Sequence, residues 1–140
     1  MPNLSKLRDE HFRLMGMVAR LGALIERPQA PRPLHVLALR HELLSTLAAH
    51  LDEVDLLLHP RLFSSPDTPI ATAARTFSEE MGSLADAYRA HCKRWAADAI
   101  ADDWAAYCVD CRELLNAVTI RITRENRELY PLLETVARAA

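Results

Sequence analysis

Hydrophobic residues recur at three- and four-residue spacing along four long stretches of this 140-residue chain. That spacing puts them on one face of an α-helix, so each stretch is predicted to be an amphipathic helix. Only three residues are glycine, which favours helices over architectures built from strands and turns. The chain is therefore predicted to be one all-α domain spanning residues 1–140.

Proline-rich segments separate the predicted helices. Asn3 or Ser5 is expected to cap the first helix, which ends at segment 28–33. The other helices are predicted from Leu34 to Leu62, from Ile70 to Ala97, and from near Asp102 to Val136 with a bend at Pro131. Residues 98–103 form a short turn or a kink. Four long helices with short links favour an antiparallel up-down-up-down four-helix bundle.

Charge and hydropathy exclude several classes of protein. A formal net charge of -2 gives no electrostatic attraction to nucleic acid. No apolar run approaches the roughly 18 residues that a membrane-spanning helix requires. The first residues lack the apolar core of a signal peptide, and three cysteines do not suggest a disulfide framework. A reducing, cytoplasmic location is expected.

Polar residues interrupt the predicted buried stripes. The stripe of the second helix, for example, comprises Leu43, Leu47, His50, Val54 and Leu57. With about 1.5 Å of rise per residue, four polar residues and one methionine are predicted to share one layer: His11, His50, Met81, Arg121 and Glu125. The four other histidines are predicted to lie outside it: His35, His41, His59 and His91.

Two interpretations of this layer are open. Inward-facing histidines and carboxylates from several helices are how bundles build metal sites, and such ligands suit iron, zinc or manganese. Alternatively, Arg121 and Glu125 lie four residues apart and form an internal salt bridge that satisfies the carboxylate without a metal. A single buried histidine is also more commonly a hydrogen-bonded core residue than a ligand.

Two stretches of the chain echo one another at a distance of 71 residues: His50 to Pro60 and Arg121 to Pro131. In each, a polar residue lies ten positions before a proline. Together with Leu7-Arg-Asp-Glu-His11, they resemble the motifs of the hemerythrin-like, or HHE cation-binding, domains. The resemblance covers nearly the whole chain. It implies a four-helix bundle that often holds two carboxylate-bridged irons, used for oxygen binding, for iron or oxygen sensing, or for repair after nitrosative stress.

Only half of the ligand pattern of that family carries over to this sequence. Three of six expected positions are kept: His11, His50 and Glu125. Three are lost: Val54 in place of a glutamate, and Met81 and Arg121 in place of histidines. A thioether is a poor ligand for a hard iron site, and a guanidinium cannot ligate at all. A standard diiron centre is therefore not expected.

The kept residues leave room for one metal ion. His11, His50 and Glu125 would hold it, with Glu53 or Glu80 as a further ligand. In the alternative, the guanidinium of Arg121 takes the place of the metal and bonds to Glu125 and Glu53.

The function predicted from this pattern is that of a non-enzymatic hemerythrin-like binding or sensor protein in a stress response. Its degenerate site would hold a single iron or none. The competing prediction is a metal-free module that binds a protein partner or forms a homodimer. A third hypothesis is that the protein is an enzyme of stress repair, and the lost ligands argue against it.

A second group of residues has alternative interpretations. Cys108 and Cys111 form a C-x-x-C pattern within a helix, and His91 and Cys92 lie at a similar height on the neighbouring helix. This set could hold zinc or form a redox pair, but small cysteines also commonly fill helical cores. The aromatic residues nearby are predicted to close that end of the core or, alternatively, to line a pocket for a small molecule: Tyr88, Trp95, Trp104 and Tyr107.

Overall fold

The computed structural model describes residues 3–139, which contain helices and no strand. The α-helices are α1 (Leu4–Ile25), α2 (Pro33–Glu53), α3 (His59–Phe63), α4 (Thr68–Met81), α5 (Leu84–Arg94), α6 (Ala97–Asp102), α7 (Trp104–Arg124) and α8 (Tyr130–Ala139). Two π-helical segments join α2 to α3 and α7 to α8: the first π turn (Val54–Leu58) and the second π turn (Glu125–Leu129).

These elements make four long rods and one short helix. The rods are α1, α2 with α3, α4 with α5, and α7 with α8, and α6 is the short helix. Helix α1 packs against α2 and α7, α3 packs against α4, and α5 packs against α7. The predicted all-α bundle is confirmed. Within residues 3–139, no helix has both the length and the apolarity needed to cross a membrane.

Three of the four rods begin at a residue whose side chain caps the helix. The side chain of Asn3 accepts a hydrogen bond from the backbone N–H of Lys6 at 3.3 Å, which caps α1 as predicted. Asp67 and Asp103 cap α4 and α7 in the same way. Each of these side-chain oxygens satisfies an amide that has no partner within the first turn of its helix.

The third rod is broken, although the sequence predicts one helix over residues 70–97. Helix α4 ends at Met81, and the chain passes through Gly82 before α5 begins. A Cβ atom added at Gly82 would lie 2.6 Å from the carbonyl oxygen of Ser78, so the backbone there has no room for a side chain. Residues 97–102, which include most of the predicted turn or kink, form α6.

The two π turns occupy equivalent places in the two echoed stretches. In each, the residue before the proline donates its N–H to the carbonyl five residues earlier: His59 to Val54, and Tyr130 to Glu125. Proline has no N–H, and its ring would clash with the carbonyl four residues before it, so a wider turn accommodates it. The echo in the sequence is therefore also an echo in the backbone.

The first π turn changes which leucine enters the core. Regular spacing predicts Leu57 on the buried face after Val54, and that prediction is wrong by one residue. Leu57 is 57% exposed, whereas Leu58 is 0% exposed. Because a π turn has i→i+5 hydrogen bonds and more residues per turn, the buried face returns one residue later than in an α-helix.

A polar layer divides the hydrophobic core into two clusters. The larger cluster includes Leu14, Leu47 and Val118, and the smaller one includes Leu7, Val54 and Leu129. On α1, α2, α7 and the second π turn, buried polar residues lie between members of the two clusters: His11, His50, Arg121 and Glu125. Three rods thus present polar side chains at the same depth.

Candidate metal centre

Three ligand-type atoms converge in this polar layer. His11 Nε2 lies 2.8 Å from Glu125 Oε1, and His50 Nε2 lies 2.7 Å from the same oxygen. The two Nε2 atoms are 3.2 Å apart. All three residues are buried, and Glu125 is 0% exposed. Within residues 3–139, no other group of three or more His, Cys, Asp or Glu side chains is close enough to share a metal ion.

The separations of these three atoms fit a shared ion. A metal ion binds imidazole nitrogen and carboxylate oxygen at about 2.0–2.2 Å, which separates ligands at right angles by roughly 3 Å. The observed separations run from 2.7 to 3.2 Å. Two histidines and one carboxylate also form the ligand set of many non-haem iron sites. The residues present therefore fit a single metal ion.

The two ring nitrogens of His11 have different partners. Its Nδ1 lies 2.9 Å from Asn126 Oδ1. Its Nε2 lies 2.8 Å from Glu125 Oε1 and 2.8 Å from the hydroxyl of Tyr130. With a metal ion on Nε2, the bond from Nδ1 to Asn126 would fix the orientation of the ring.

His50 lies between two carboxylates. Its Nδ1 is 2.6 Å from Glu10 Oε1, while its Nε2 faces Glu125. Burial by itself lowers the pKa of His50, but the hydrogen bonds and negative charges of Glu125 and Glu10 outweigh burial and raise that pKa overall. Without a metal, both ring nitrogens donate hydrogen bonds. With a metal on Nε2, Glu10 would fix the ring orientation through Nδ1.

Glu125 presents its two oxygens to different cations. Oε1 faces the two histidines, and Oε2 accepts a hydrogen bond from Arg121 Nε at 2.6 Å. Burial by itself raises the pKa of Glu125. Hydrogen bonds from His11 and His50, with the charges of His50 and Arg121, outweigh it and hold the pKa of Glu125 well below its usual range. The carboxylate is therefore ionised, although its side chain is fully buried.

Arg121 fills the other side of Glu125. Its Nη1 donates to the carbonyl oxygen of Met81 at 2.8 Å, and its Nη2 lies 3.4 Å from Asp55 Oδ1. The carbonyl of Met81 is available because the last carbonyls of a helix lack donors within that helix. The guanidinium also lies over the ring of Phe77, 5.4 Å from its centroid. The ion pair predicted from the i,i+4 spacing is present, and it is fully buried.

Other candidate ligands lie elsewhere. Glu53 binds Lys6 at 3.0 Å, and Glu80 is paired with Arg124. Glu53 precedes the buried Val54 by one position, so its side chain lies about 100° around α2 from that of Val54. The structure therefore does not bring Glu53 to the three converging atoms. The predicted bond between Arg121 and Glu53 is absent as well, because Arg121 bonds to Met81 and Asp55 instead. Val54 is packed in the smaller hydrophobic cluster.

Three residues of the site were missed by the sequence analysis: Glu10, Asn126 and Tyr130. The Tyr130 hydroxyl lies 2.8 Å from His11 Nε2 and 3.2 Å from Glu125 Oε1. Its ring stacks on that of His11, with centroids 5.0 Å apart. In an α-helix, residues five apart do not share a face, but the second π turn brings Tyr130 to the side of Glu125. Pro131 was the sequence signal for this π turn.

The four other histidines do not reach the converging atoms, as predicted. His35 and His41 are exposed. His59 lies in the smaller cluster against Phe63 and Phe77, and burial lowers its pKa. His91 lies at the other end of the bundle, where its Nδ1 is 3.2 Å from Asp110 Oδ2.

The cysteines lie near that other end as core residues. All three are free: Cys92, Cys108 and Cys111. Burial raises the pKa of the Cys111 thiol to about 11 and also raises the pKa of Cys108. A thiol that stays protonated is a weak nucleophile and a weak metal ligand. These pKa shifts favour the interpretation of Cys108 and Cys111 as core-filling residues.

The aromatic residues close this end of the core. The ring of Tyr107 contacts those of Trp95 and Trp104, with centroids 5.5 Å and 5.7 Å apart. Tyr88 packs against the same cluster while remaining partly exposed. Arg40 is buried beside them and donates to the carbonyl oxygen of Trp95 at 2.8 Å.

The fold and the site together define a helical bundle whose core presents two histidines and one carboxylate that could hold a metal ion. A family model described as the hemerythrin HHE cation binding domain matches residues 3–133. The chain belongs to this family, which confirms the resemblance seen in its motifs. No curated protein and no solved structure matches the chain. The matched range includes all three converging residues.

Proposed function

We propose that this protein is a non-enzymatic, cytoplasmic binding or sensor protein that holds one iron ion on His11, His50 and Glu125. The observation that carries the proposal is the convergence of three ligand atoms within 3.2 Å of one another in a buried layer. Imidazole and carboxylate suit iron, and they also accept zinc or manganese. The signal would be the supply of iron or oxygen during stress.

A single ion is proposed because the second half of a diiron site is filled. The guanidinium of Arg121 bonds to Glu125 Oε2, which is the oxygen that a second ion would need. A fixed positive charge at that place repels a dication. Val54 adds no ligand atom, and the side chain of Met81 offers only a thioether.

A binding role is favoured over catalysis for the same reason. Two-iron chemistry needs both halves of the centre, and this chain keeps the ligands of one. The half of the centre that keeps its ligands is linked to the surface through His50, Glu10 and Lys6. Lys6 lies 3.5 Å from Glu10 and 3.0 Å from Glu53. A change of charge at His50 on metal binding would therefore alter an ion-pair network that solvent and partners reach.

The second candidate is a metal-free module that binds a protein partner or a second copy of the chain. It is supported by the buried Arg121–Glu125 pair at 2.6 Å, which supplies a cation from the protein itself. That pair uses Oε2, however, and leaves Oε1 directed at the histidines. The ion pair and a metal ion can therefore coexist.

Metal analysis of protein purified from iron-supplied cells tests the proposal. We expect close to one iron per chain in the wild type, and roughly tenfold less or lower in His50→Gln, because a ligand is removed. His41→Gln is the matched control, since His41 lies on the same helix but is exposed.

Two results would contradict the proposal. A wild-type chain without metal, whose unfolding is unaffected by a chelator, would favour the metal-free module. A content of two irons per chain would show that Arg121 does not block the second position.

A further inference from the structure

The phenol oxygen of Tyr130 belongs to the same set of atoms as the three ligands. It lies 2.8 Å from His11 Nε2 and 3.2 Å from Glu125 Oε1. These separations are in the range found among the three ligand atoms themselves. Tyr130 is 0% exposed, and the second π turn fixes its ring against His11. Four potential ligand atoms therefore meet in one buried place.

Binding of an ion would deprive this hydroxyl of its hydrogen-bond partners. Its two partners in the described structure are His11 Nε2 and Glu125 Oε1. Both atoms would direct lone pairs to the ion and become poorer acceptors. A buried hydroxyl left without a partner is unfavourable. Direct coordination of its oxygen removes that problem.

Charge leads to the same conclusion. A trivalent ion beside the fixed charge of Arg121 places more positive charge in the layer than Glu125 and the neighbouring carboxylates of Glu10 and Asp55 offset. Buried charges have to be paired, and a phenolate would supply a second negative charge next to the ion. Its hard oxygen donor also suits iron better than a neutral sulfur ligand would.

We propose that Tyr130 is the fourth protein ligand of the metal and binds it as a phenolate. This inference rests on the proposed function, because it requires a metal on the other three residues. Burial and the charge of Glu125 raise the pKa of Tyr130 in the metal-free chain, so the ion itself has to displace the proton. On binding, the O–H bond of Tyr130 breaks, an oxygen–metal bond forms, and the proton leaves to solvent. No electron is transferred. A surface groove of about 250 Å³ borders the site at His11 and Asn126, and its other lining residues are Arg8, Phe12, Met15 and Ile122.

The experiment loads chelator-treated protein with iron(III) supplied as its nitrilotriacetate complex. We expect the wild type to be coloured by a phenolate-to-iron charge-transfer band, with tyrosinate vibrations enhanced in the resonance Raman spectrum. Tyr130→Phe keeps the ring that stacks on His11 and removes only the oxygen. It should bind iron at least about tenfold more weakly and lose the band.

A control variant uses the small number of tyrosines in the chain. There are three, and Tyr88 and Tyr107 lie at the other end of the bundle. In the double variant Tyr88→Phe with Tyr107→Phe, Tyr130 is the remaining tyrosine, and the band should persist. This variant also tests the proposal if Tyr130→Phe does not fold.

The outcomes separate this proposal from the one on which it rests. Iron bound at the wild-type ratio without a charge-transfer band would overturn ligation by Tyr130 and leave the metal site standing. A band that persists in Tyr130→Phe, or disappears in the double variant, would overturn it as well. A wild-type chain that binds no iron would overturn both proposals.

Discussion

At the scale of single residues, Glu125 decides what the centre can hold. Its carboxylate is ionised in the core, and each of its oxygens faces a different partner. On one side are two histidines, which a metal ion can join. On the other side is Arg121, whose guanidinium cannot leave without exposing an uncompensated buried charge. The surroundings of Glu125 are thus divided into one side that could hold a metal ion and one side that Arg121 fills.

Replacing the arginine should reopen the second half. Arg121→His removes the fixed charge and adds an imidazole beside Glu125 Oε2, so we expect iron to bind at least about tenfold more tightly. Isothermal titration with iron(II) under anaerobic conditions measures this. Arg124→His is the control, because Arg124 pairs with Glu80 and Glu128 on the outer face. No gain in bound iron would mean that Arg121 does not limit the site.

His91 gives the protein a pH-dependent stability that does not involve the metal centre. Burial, with the nearby charge of Arg40, lowers the pKa of His91 below 6.5 in the folded chain. Below pH 6.5 the unfolded chain therefore binds a proton that the folded chain does not. The free energy of unfolding should therefore fall by up to about 1.4 kcal/mol for each unit by which the pH drops within that window.

The pH dependence can be isolated with a variant. Urea unfolding of His91→Gln in the presence of chelator should show a flatter fall in unfolding free energy between about pH 6.5 and pH 5. His41→Gln, which changes an exposed histidine, should keep the wild-type slope. Equal slopes for His91→Gln and the wild type would show that His91 is protonated equally in both states.

At the scale of helices, regular spacing predicts which side chains face the core wherever the helix is a regular α-helix. The rods and the inward positions of His11 and His50 follow from a period of 3.6 residues, and the cap at Asn3 follows from its side-chain oxygen. That period does not include a π turn, so it places Leu57 in the core and gives no role to Tyr130. Glu10 was missed because its contact with His50 is made between helices, which the spacing along one helix does not show.

The shift of phase at the first π turn can be tested by alanine substitution. Leu58 is fully buried in the smaller cluster, so Leu58→Ala should lower the free energy of unfolding by about 2–5 kcal/mol. Leu57→Ala, one residue away, should change it by no more than about 0.5 kcal/mol, because Leu57 is mostly exposed. Denaturant unfolding measures both. If Leu57→Ala destabilised the protein more than Leu58→Ala, the segment would have the regular α-helical phase and no π turn.

At the scale of the whole molecule, the polar layer lies between two hydrophobic clusters. The larger cluster spans α1, α2, α5, α6 and α7, and the smaller one joins α1, α3, α4 and α8 with both π turns. Burial of this apolar surface is the main force that holds the bundle together. The metal is therefore expected to add stability to a chain that already folds.

Removal of the metal should accordingly lower stability without loss of the fold. Chelator-treated protein is expected to keep its helical circular dichroism, because both clusters remain packed. Free metal at about 100 times its dissociation constant should raise the free energy of unfolding by about 2.7 kcal/mol. Thermal unfolding with and without metal measures this increase. His50→Gln should show no such increase, since it lacks a ligand that faces Glu125 Oε1. Unfolding of the wild type by chelator alone would instead make the ion part of the structural core, and the sensor function would lose its physical basis.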